Sequence, residues 1–150
     1  MPDLKLATGV TCPIGRYHPA IVAQAAATVA TLSDRPFTLA VGAGERLNEH
    51  VTGEPFPAVD VRHEMLEEAI SIIRSLWTGE WTTIRGRHLA VEDARLFDLP
   101  EHPLRIAVAV SGDASLDAAR RSEVDGIVAT EPEASIVDGW AERGGDRAAT

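Results

Sequence analysis

Hydrophobic and polar positions along this chain alternate between a period of two and a period near 3.6. Residues 4–11 alternate loosely and read as a strand, with Gly9 allowing close approach at its end. Residues 12–19 hold two prolines and a glycine and read as a loop. Pro19 suits a first helical position, and residues 20–32 follow as an alanine-rich helix. Ile21, Val22, Ala25, Ala26, Val29 and Leu32 cluster on it at helical spacing. After a break at 33–36, Phe37, Leu39 and Val41 supply β-formers at period two, around the small Ala40. Gly42 and Gly44 then mark a sharp turn or a close approach to a ligand. Residues 50–59 form another loop, and Asp60 is the expected N-cap of a helix over 61–77. Met65, Ala69, Ile72, Ile73 and Leu76 form its apolar stripe. Glu64, Glu67, Glu68, Ser71, Arg74 and Ser75 form a solvated face, and Gly79 is the stop.

From 80 to 91 the period returns to two. Residues 81–91 read as a β-hairpin turning near Arg85 and Gly86, an excursion between repeating units. A strand over 104–110 runs into Ser111, Gly112 and Asp113, and a short helix spans 114–122. Asp125 and Gly126 read as a turn before a strand over 126–130. Pro132 opens a last helix through Ile136, Val137 and Trp140, which Gly144 and Gly145 end. Four strands alternating with helices imply an α/β fold with parallel pairing through right-handed crossovers. An open doubly wound sheet closes its core with about five strands. A (β/α)₈ barrel needs eight strands and about 250 residues, so this chain supplies half of one. Periodicity does not choose between them.

The 150 residues are one domain's worth of chain at most. A net charge of −9 without a basic run argues against nucleic acid and anionic membrane as partners. No run of about eighteen apolar residues is present, so no membrane span is expected. Met-Pro-Asp-Leu-Lys at the start lacks the charged-then-apolar pattern of a leader, and the single Cys12 suits a reducing cytoplasm. The five histidines show no metal-ligand spacing, so no metal site is assigned. Cys12 reads as a small loop residue rather than a nucleophile. Gly42-Ala-Gly44 lacks the third glycine of a dinucleotide fingerprint. Glu45 and Asn48 lie one helical turn apart, where both could point into one cleft. The alternative is that the glycines are turn residues and Glu45 a helix-start carboxylate.

Several segments, in order over nearly the whole chain, resemble luciferase-like (bacterial luciferase superfamily) oxidoreductases. Thr8-Gly-Val-Thr-Cys-Pro13, Arg16-Tyr-His-Pro19 and Ala23-Gln24 look like the third strand and following helix of the deazaflavin-dependent branch, which includes F420-dependent glucose-6-phosphate dehydrogenases. Val41-Gly-Ala-Gly-Glu-Arg-Leu-Asn-Glu49 resembles that branch's Val-Gly-x-Gly-Glu-x-Leu-Asn-Glu. Arg62, Leu66, Glu68, Ala69, Ile73, Arg74, Leu76 and Trp77 match its next helix; residues 95–100 and 125–127 continue the order.

The resemblance implies strands three to six of a (β/α)₈ TIM barrel, with the hairpin as an insertion and the first and last barrel strands missing from residues 1–150. It implies a hydride transfer between coenzyme F420 and an alcohol or carbonyl substrate. On it, Gly9, Val10 and Cys12 fall where the third strand end touches the cofactor, commonly with a cis peptide before the valine. Gly42 and Asn48 fall on cofactor contacts, and Glu45 on the carboxyl that acts as general acid near the deazaflavin N1. Ser111 and Gly112 fall on a backbone cradle for the cofactor phosphate, with Asp113 in place of a frequent proline. A carboxylate there opposes a phosphate. The stretch 130–133 is acidic where glucose-6-phosphate enzymes place a lysine, so that substrate is not assigned. The Asp-His pair of the family's second strand has no equivalent here. The readings left open are a fragment of an F420-dependent enzyme, an FMN-dependent monooxygenase, or a truncated non-catalytic remnant, with a small-molecule substrate and a homodimer as partners.

Overall fold

A computed structural model describes residues 5–33, 35–129, 131 and 133–147. Strands β1 (Leu6–Ala7), β2 (Phe37–Val41), β5 (Arg105–Ala109) and β6 (Gly126–Val128) form one parallel sheet in the order β1-β2-β5-β6. Strands β3 (Thr82–Arg85) and β4 (Ala90–Ala94) form a separate antiparallel hairpin, with a register shift between Thr82 and Ile84. The sheet neighbours follow chain order. A doubly wound sheet reverses its order at a switch point; this one does not, so the sheet is wound in one sense, as a barrel arc is. Helices α1 (Pro19–Ser33), α3 (Val59–Leu76), α4 (Asp113–Arg121) and α5 (Ala134–Glu142) likewise pack in sequence, α1 on α3, α3 on α4 and α4 on α5. The fold is a partial (β/α)₈ barrel.

The register separates two sheet faces. Phe37, Leu39, Val41, Ile106, Val108 and Ile127 lie in the core shared with Val22, Ala23, Leu66, Ile70, Ile73 and Leu116 from the helices. The alternate positions are small toward the C-terminal ends of the strands and polar at the start. Thr38 pairs with Arg105, and Ala40 with Ala107, which pairs in turn with Gly126. Fully burying each Ile or Leu of the helix side contributes about 1.5–3 kcal/mol, so that face is the one that holds the layers together.

Helix α1 is rotated from its expected orientation. Val22, Ala23, Ala26, Ala27 and Ala30 face inward, while Ile21 (57% exposed), Val29 and Leu32 face out. Alanines let α1 approach α3 closely enough for the Trp77 indole N–H to donate to the Ala23 carbonyl at 3.0 Å. Larger side chains would hold the two backbones apart. Trp77 therefore ties the end of α3 to α1. The stripe itself is as expected, widened by Leu66 and Ile70.

Helix α3 starts before Asp60. Ala58 is its extended N-cap residue, and Asp60 lies within the first turn, where its charge complements the helix dipole. Gly79, in the left-handed region at φ +77°, stops it. The hairpin runs to Ala94 rather than Val91. Within 50–59 a 3-10 turn spans His50–Thr52. The expected strand ends at Leu4 and Thr130, and the helix-opening Pro132, lie outside the described residues.

The face expected to be solvated is instead a set of ties. The Glu68 carboxylate accepts the backbone N–H groups of Arg87, His88 and Leu89 at 2.8–3.0 Å, fastening the hairpin to α3. Glu64 pairs with Arg87 and His88, and Glu67 with Arg121 of α4. Arg74 meets Asp125 at 2.5 Å, and that carboxylate also accepts the Ile106 N–H. Asp125 thus joins α3 to the start of β5, beyond its role as a turn residue. Trp81 is exposed and meets Phe97 edge-on.

Candidate functional site

Strand β1 breaks off early, and the break shapes the C-terminal edge of the sheet. After Ala7 the ladder resumes only at Thr11, which bridges Val41. Across the gap the Thr8 hydroxyl accepts the Ala40 N–H and donates to the Ala40 carbonyl, both at 2.9 Å. A side chain thus replaces backbone pairing, and Gly9-Val10 bulge out of the strand. Val10 is 41% exposed, and a Cβ at Gly9 would meet nothing within 4 Å. All described peptide bonds are trans.

Beside this bulge β2 ends in Gly42, whose N–H donates to the Thr11 carbonyl at 3.0 Å. A Cβ there would lie 3.2 Å from Val10 Cγ1 and 3.3 Å from Ala109 Cβ. Gly42 is therefore the point where the ends of β1, β2 and β5 converge. Ala43 follows, its carbonyl held by Arg62 Nε at 3.0 Å, while Arg62 Nη1 binds the Pro57 carbonyl and the guanidinium stacks on Phe56. Gly44 takes φ +74°, which a side chain rarely adopts. The four-residue helix α2 (Arg46–Glu49) starts here, with the Asn48 N–H donating to the Glu45 carbonyl at 3.0 Å. Glu45 and Asn48 lie one turn apart, both exposed. Glu45 stands at the N-cap of α2, as the helix-start reading expects, and its carboxylate makes no cap bond there.

Cys12 packs beneath this loop. A Cβ on Gly44 would lie 2.7 Å from Cys12 Sγ and 3.2 Å from Glu49 Cγ. Burial pushes the Cys12 thiol up from its ordinary pKa, and the Glu49 carboxylate beside it adds to the shift. A thiol held protonated is a poor nucleophile, as the small-residue reading expects. Glu49 itself is only 9% exposed and accepts the Arg16 N–H at 3.3 Å.

After β5, the N–H groups of Ser111 and Gly112 both donate to Ser115 Oγ, at 2.9 and 3.2 Å. The hydroxyl returns a bond to the Gly112 carbonyl. The two expected cradle donors thus converge on one oxygen, which is what a phosphate oxygen would also offer them. Asp113 is turned aside: its carboxylate pairs with Arg143 of the α5 end at 3.0 Å and is 87% exposed.

The fold brings Val10, Gly42 and Cys12 together at one edge, with Glu45 and Asn48 on the adjoining turn and Ser111-Gly112 at the end of the strand beside β2. Gly9 projects from the bulge without a packing role. Sequence reasoning missed the roles of Thr8, Arg62 as the loop's anchor, Glu49 and Ser115; motif membership was a signal for Thr8, Arg62 and Glu49, and Ser115 had none. No group of three or more metal-ligating side chains occurs among the described residues. A hollow of about 310 Å³, lined by Trp77, Leu99, Pro103 and Leu104 among others, lies at the opposite, N-terminal end of β5. Active sites of parallel α/β folds lie at C-terminal strand ends, so the strand-edge cluster is the candidate and the hollow is not. Its small residues and converging N–H groups fit a flat ring with a phosphate at one end. No described helix is long and apolar enough to cross a membrane.

A family model described as luciferase-like monooxygenase matches residues 2–147. An F420-dependent hydroxymycolic acid dehydrogenase of Mycobacterium tuberculosis is 46% identical over 119 residues, 79% of this chain and 33% of the relative. An F420-dependent glucose-6-phosphate dehydrogenase of Beutenbergia cavernae is 42% identical over 83% of this chain and 37% of its own length. The chain thus spans about a third of these relatives. The structure of an F420-dependent secondary alcohol dehydrogenase in complex with an F420-acetone adduct superposes with a TM-score of 0.82 at 32% identity, over 96% of this chain and 46% of that one.

Proposed function

The chain belongs to the luciferase-like monooxygenase family, and from that premise we propose that it is the cofactor-binding part of a coenzyme F420-dependent oxidoreductase acting on a small alcohol or carbonyl substrate. The observation that carries the reading is Gly42. A side chain there would fill the junction of Val10 and Ala109, and the loop beyond it presents Glu45 and Asn48 outward. A bound deazaflavin supplies hydride acceptance and donation. Gly42, Val10 and Ala109 form the surface on which its ring would rest, and Ser111 and Gly112 offer N–H groups to its phosphate once Ser115 Oγ yields them. Glu45, exposed beside that surface, would be the group that passes a proton to the ring where negative charge develops. Asn48, one turn on, would orient the ring by hydrogen bonding.

We further propose that a closed eight-stranded barrel surrounds this site in the working enzyme, that the enzyme works in the cytoplasm, and that it is a homodimer. Helix α1 supports the dimer: it carries no charged residue in a chain of net charge −9 and exposes Ile21, Val29 and Leu32. Glu131 and Glu133 follow β6, and their charge disfavours a phosphorylated sugar; Thr130 and Pro132 between and before them lie outside the described residues. The test is a fluorescence titration of the 150-residue chain with F420 and, separately, with FMN. F420 quenching that saturates while FMN leaves the signal unchanged is the expected result. Preference for FMN would move the protein to the monooxygenase reading, and indifference to both would leave a non-catalytic remnant.

A further inference from the structure

Two groups of strand-edge residues, one from β1 and one from the β2 loop, must keep a set distance for any ligand to touch both. The backbone ladder sets only part of it: it ties Thr11 to Val41 and Gly42 and stops there, and the β2 loop beyond runs on into a four-residue helix. One side chain spans the two segments. Glu49, on the last residue of α2, is buried to 9% exposure, and its Oε2 accepts the Arg16 N–H at 3.3 Å. The same oxygen lies 3.2 Å from where a Cβ on Gly15 would stand, so Gly15 leaves it room. Cys12 packs against the same residue from the other side of the loop: its sulfur and Glu49 Cγ together crowd Gly44, at 2.7 and 3.2 Å from where a Cβ there would stand. An N–H from residues 12–16 thus meets an acceptor from α2, with the Cys12 sulfur packed beside it.

We propose that Glu49 is a positioning residue that latches the loop 12–16 to α2, and thereby sets the spacing between Val10–Cys12 and Glu45–Asn48. The inference rests on the F420 reading only for what that spacing serves. A buried carboxylate is costly unless satisfied by donors, so the loop must stay closed on it for the burial to persist. Glu49 touches no reacting atom; it acts through the residues at each end of the latch. Its charge also bears on the thiol, so Cys12 reports on the latch without any cofactor present. Glu49 is the charged group acting on that thiol; Ile14 and Gly15 contribute backbone hydrogen bonds.

The experiment uses the full 150-residue chain with Glu49→Gln and Glu49→Ala, and two readouts: iodoacetamide alkylation of Cys12 from pH 6 to 10, and F420 binding by fluorescence. Gln keeps an acceptor for the Arg16 N–H and loses the charge. Its alkylation profile is expected to move to lower pH, with F420 affinity within about threefold of the parent. Ala loses both, and is expected to alkylate about tenfold faster at pH 7.5 and to bind F420 about tenfold more weakly. Parental alkylation by the Ala variant, or F420 affinity equal to the parent, overturns the proposal. Where the Ala variant does not fold, an unmoved alkylation profile in the Gln variant overturns it instead. If the parent chain ignores F420 while both alkylation profiles change as stated, the latch stands and the F420 reading fails.

Discussion

Glu68 and Glu45 are both glutamates on or beside helices, and they are treated in opposite ways. Glu68 accepts three backbone N–H groups from the hairpin and is half-buried. Glu45 is exposed at the strand edge and makes no cap bond. Around Glu68 the charges are matched: Glu64 with Arg87, Glu67 with Arg121, Arg74 with Asp125. Around Glu45 the neighbours are glycines and a backbone loop anchored by Arg62. A carboxylate whose lone pairs are filled by its own chain holds structure. One left facing out of a rigid loop is available to a ligand. The difference teaches that counting acidic residues on a helix says little until their donors are known.

The sharpest way to break this comparison is Glu45→Gln. If Glu45 delivers a proton, turnover by the F420-loaded enzyme falls by about 100-fold, while the melting temperature stays at the parental value. Unchanged turnover removes the acid role. Glu68→Ala is the counterpart. Three donors lose a charged acceptor, which costs about 2 kcal/mol, so calorimetry should show the melting temperature lowered by several degrees with F420 binding retained.

Gly42→Val tests the floor between them in kind. Its side chain meets Val10 and Ala109, so F420 affinity is expected to weaken about tenfold, with a smaller loss of stability; equal affinity in titration would mean the ring lies elsewhere. The smallest effect is in pH. Desolvation pushes the Glu68 carboxyl up, but the N–H groups of His88, Leu89 and Arg87 outweigh it and hold its pKa below the usual 4.5. A depressed carboxylate pKa contributes stability that is full above 4.5 and is lost as pH falls through the folded value. Melting between pH 6 and 3 should therefore decline in the parent and decline less steeply in Glu68→Gln. Parallel curves would show that Glu68 is not the group responsible.

Much of the candidate edge was legible in the residues. Phe37–Val41 forms the expected strand, and Glu45 and Asn48 fall one turn apart because i and i+3 positions of a helix must. The Gly79 stop and the α3 stripe follow from local rules of the same kind. Helix α1 was misread because a 3.6-residue period places a stripe but does not say which stripe is inside. Ile21 and Leu32 look like core residues by hydrophobicity, yet the alanines are inside because α3 approaches closely there. Ser115 was silent because a serine three residues into a helix binds solvent or a neighbour equally well until the preceding loop curls over it.

The sequence alone determined the alternation of strands and helices, the hairpin excursion, the glycine loop and the family likeness. These rest on periods, turn chemistry and ordered motifs, all of which act within a few neighbouring residues. The tertiary structure decided the rest. The order β1-β2-β5-β6 separated a barrel arc from a doubly wound sheet, since strand adjacency depends on which edge each crossover returns to. It also decided which carboxylates are filled and which face outward. The bonds of Glu68, Asp125 and Glu49 close over roughly 20 to 50 residues of chain, and no local pattern records which distant donor will arrive.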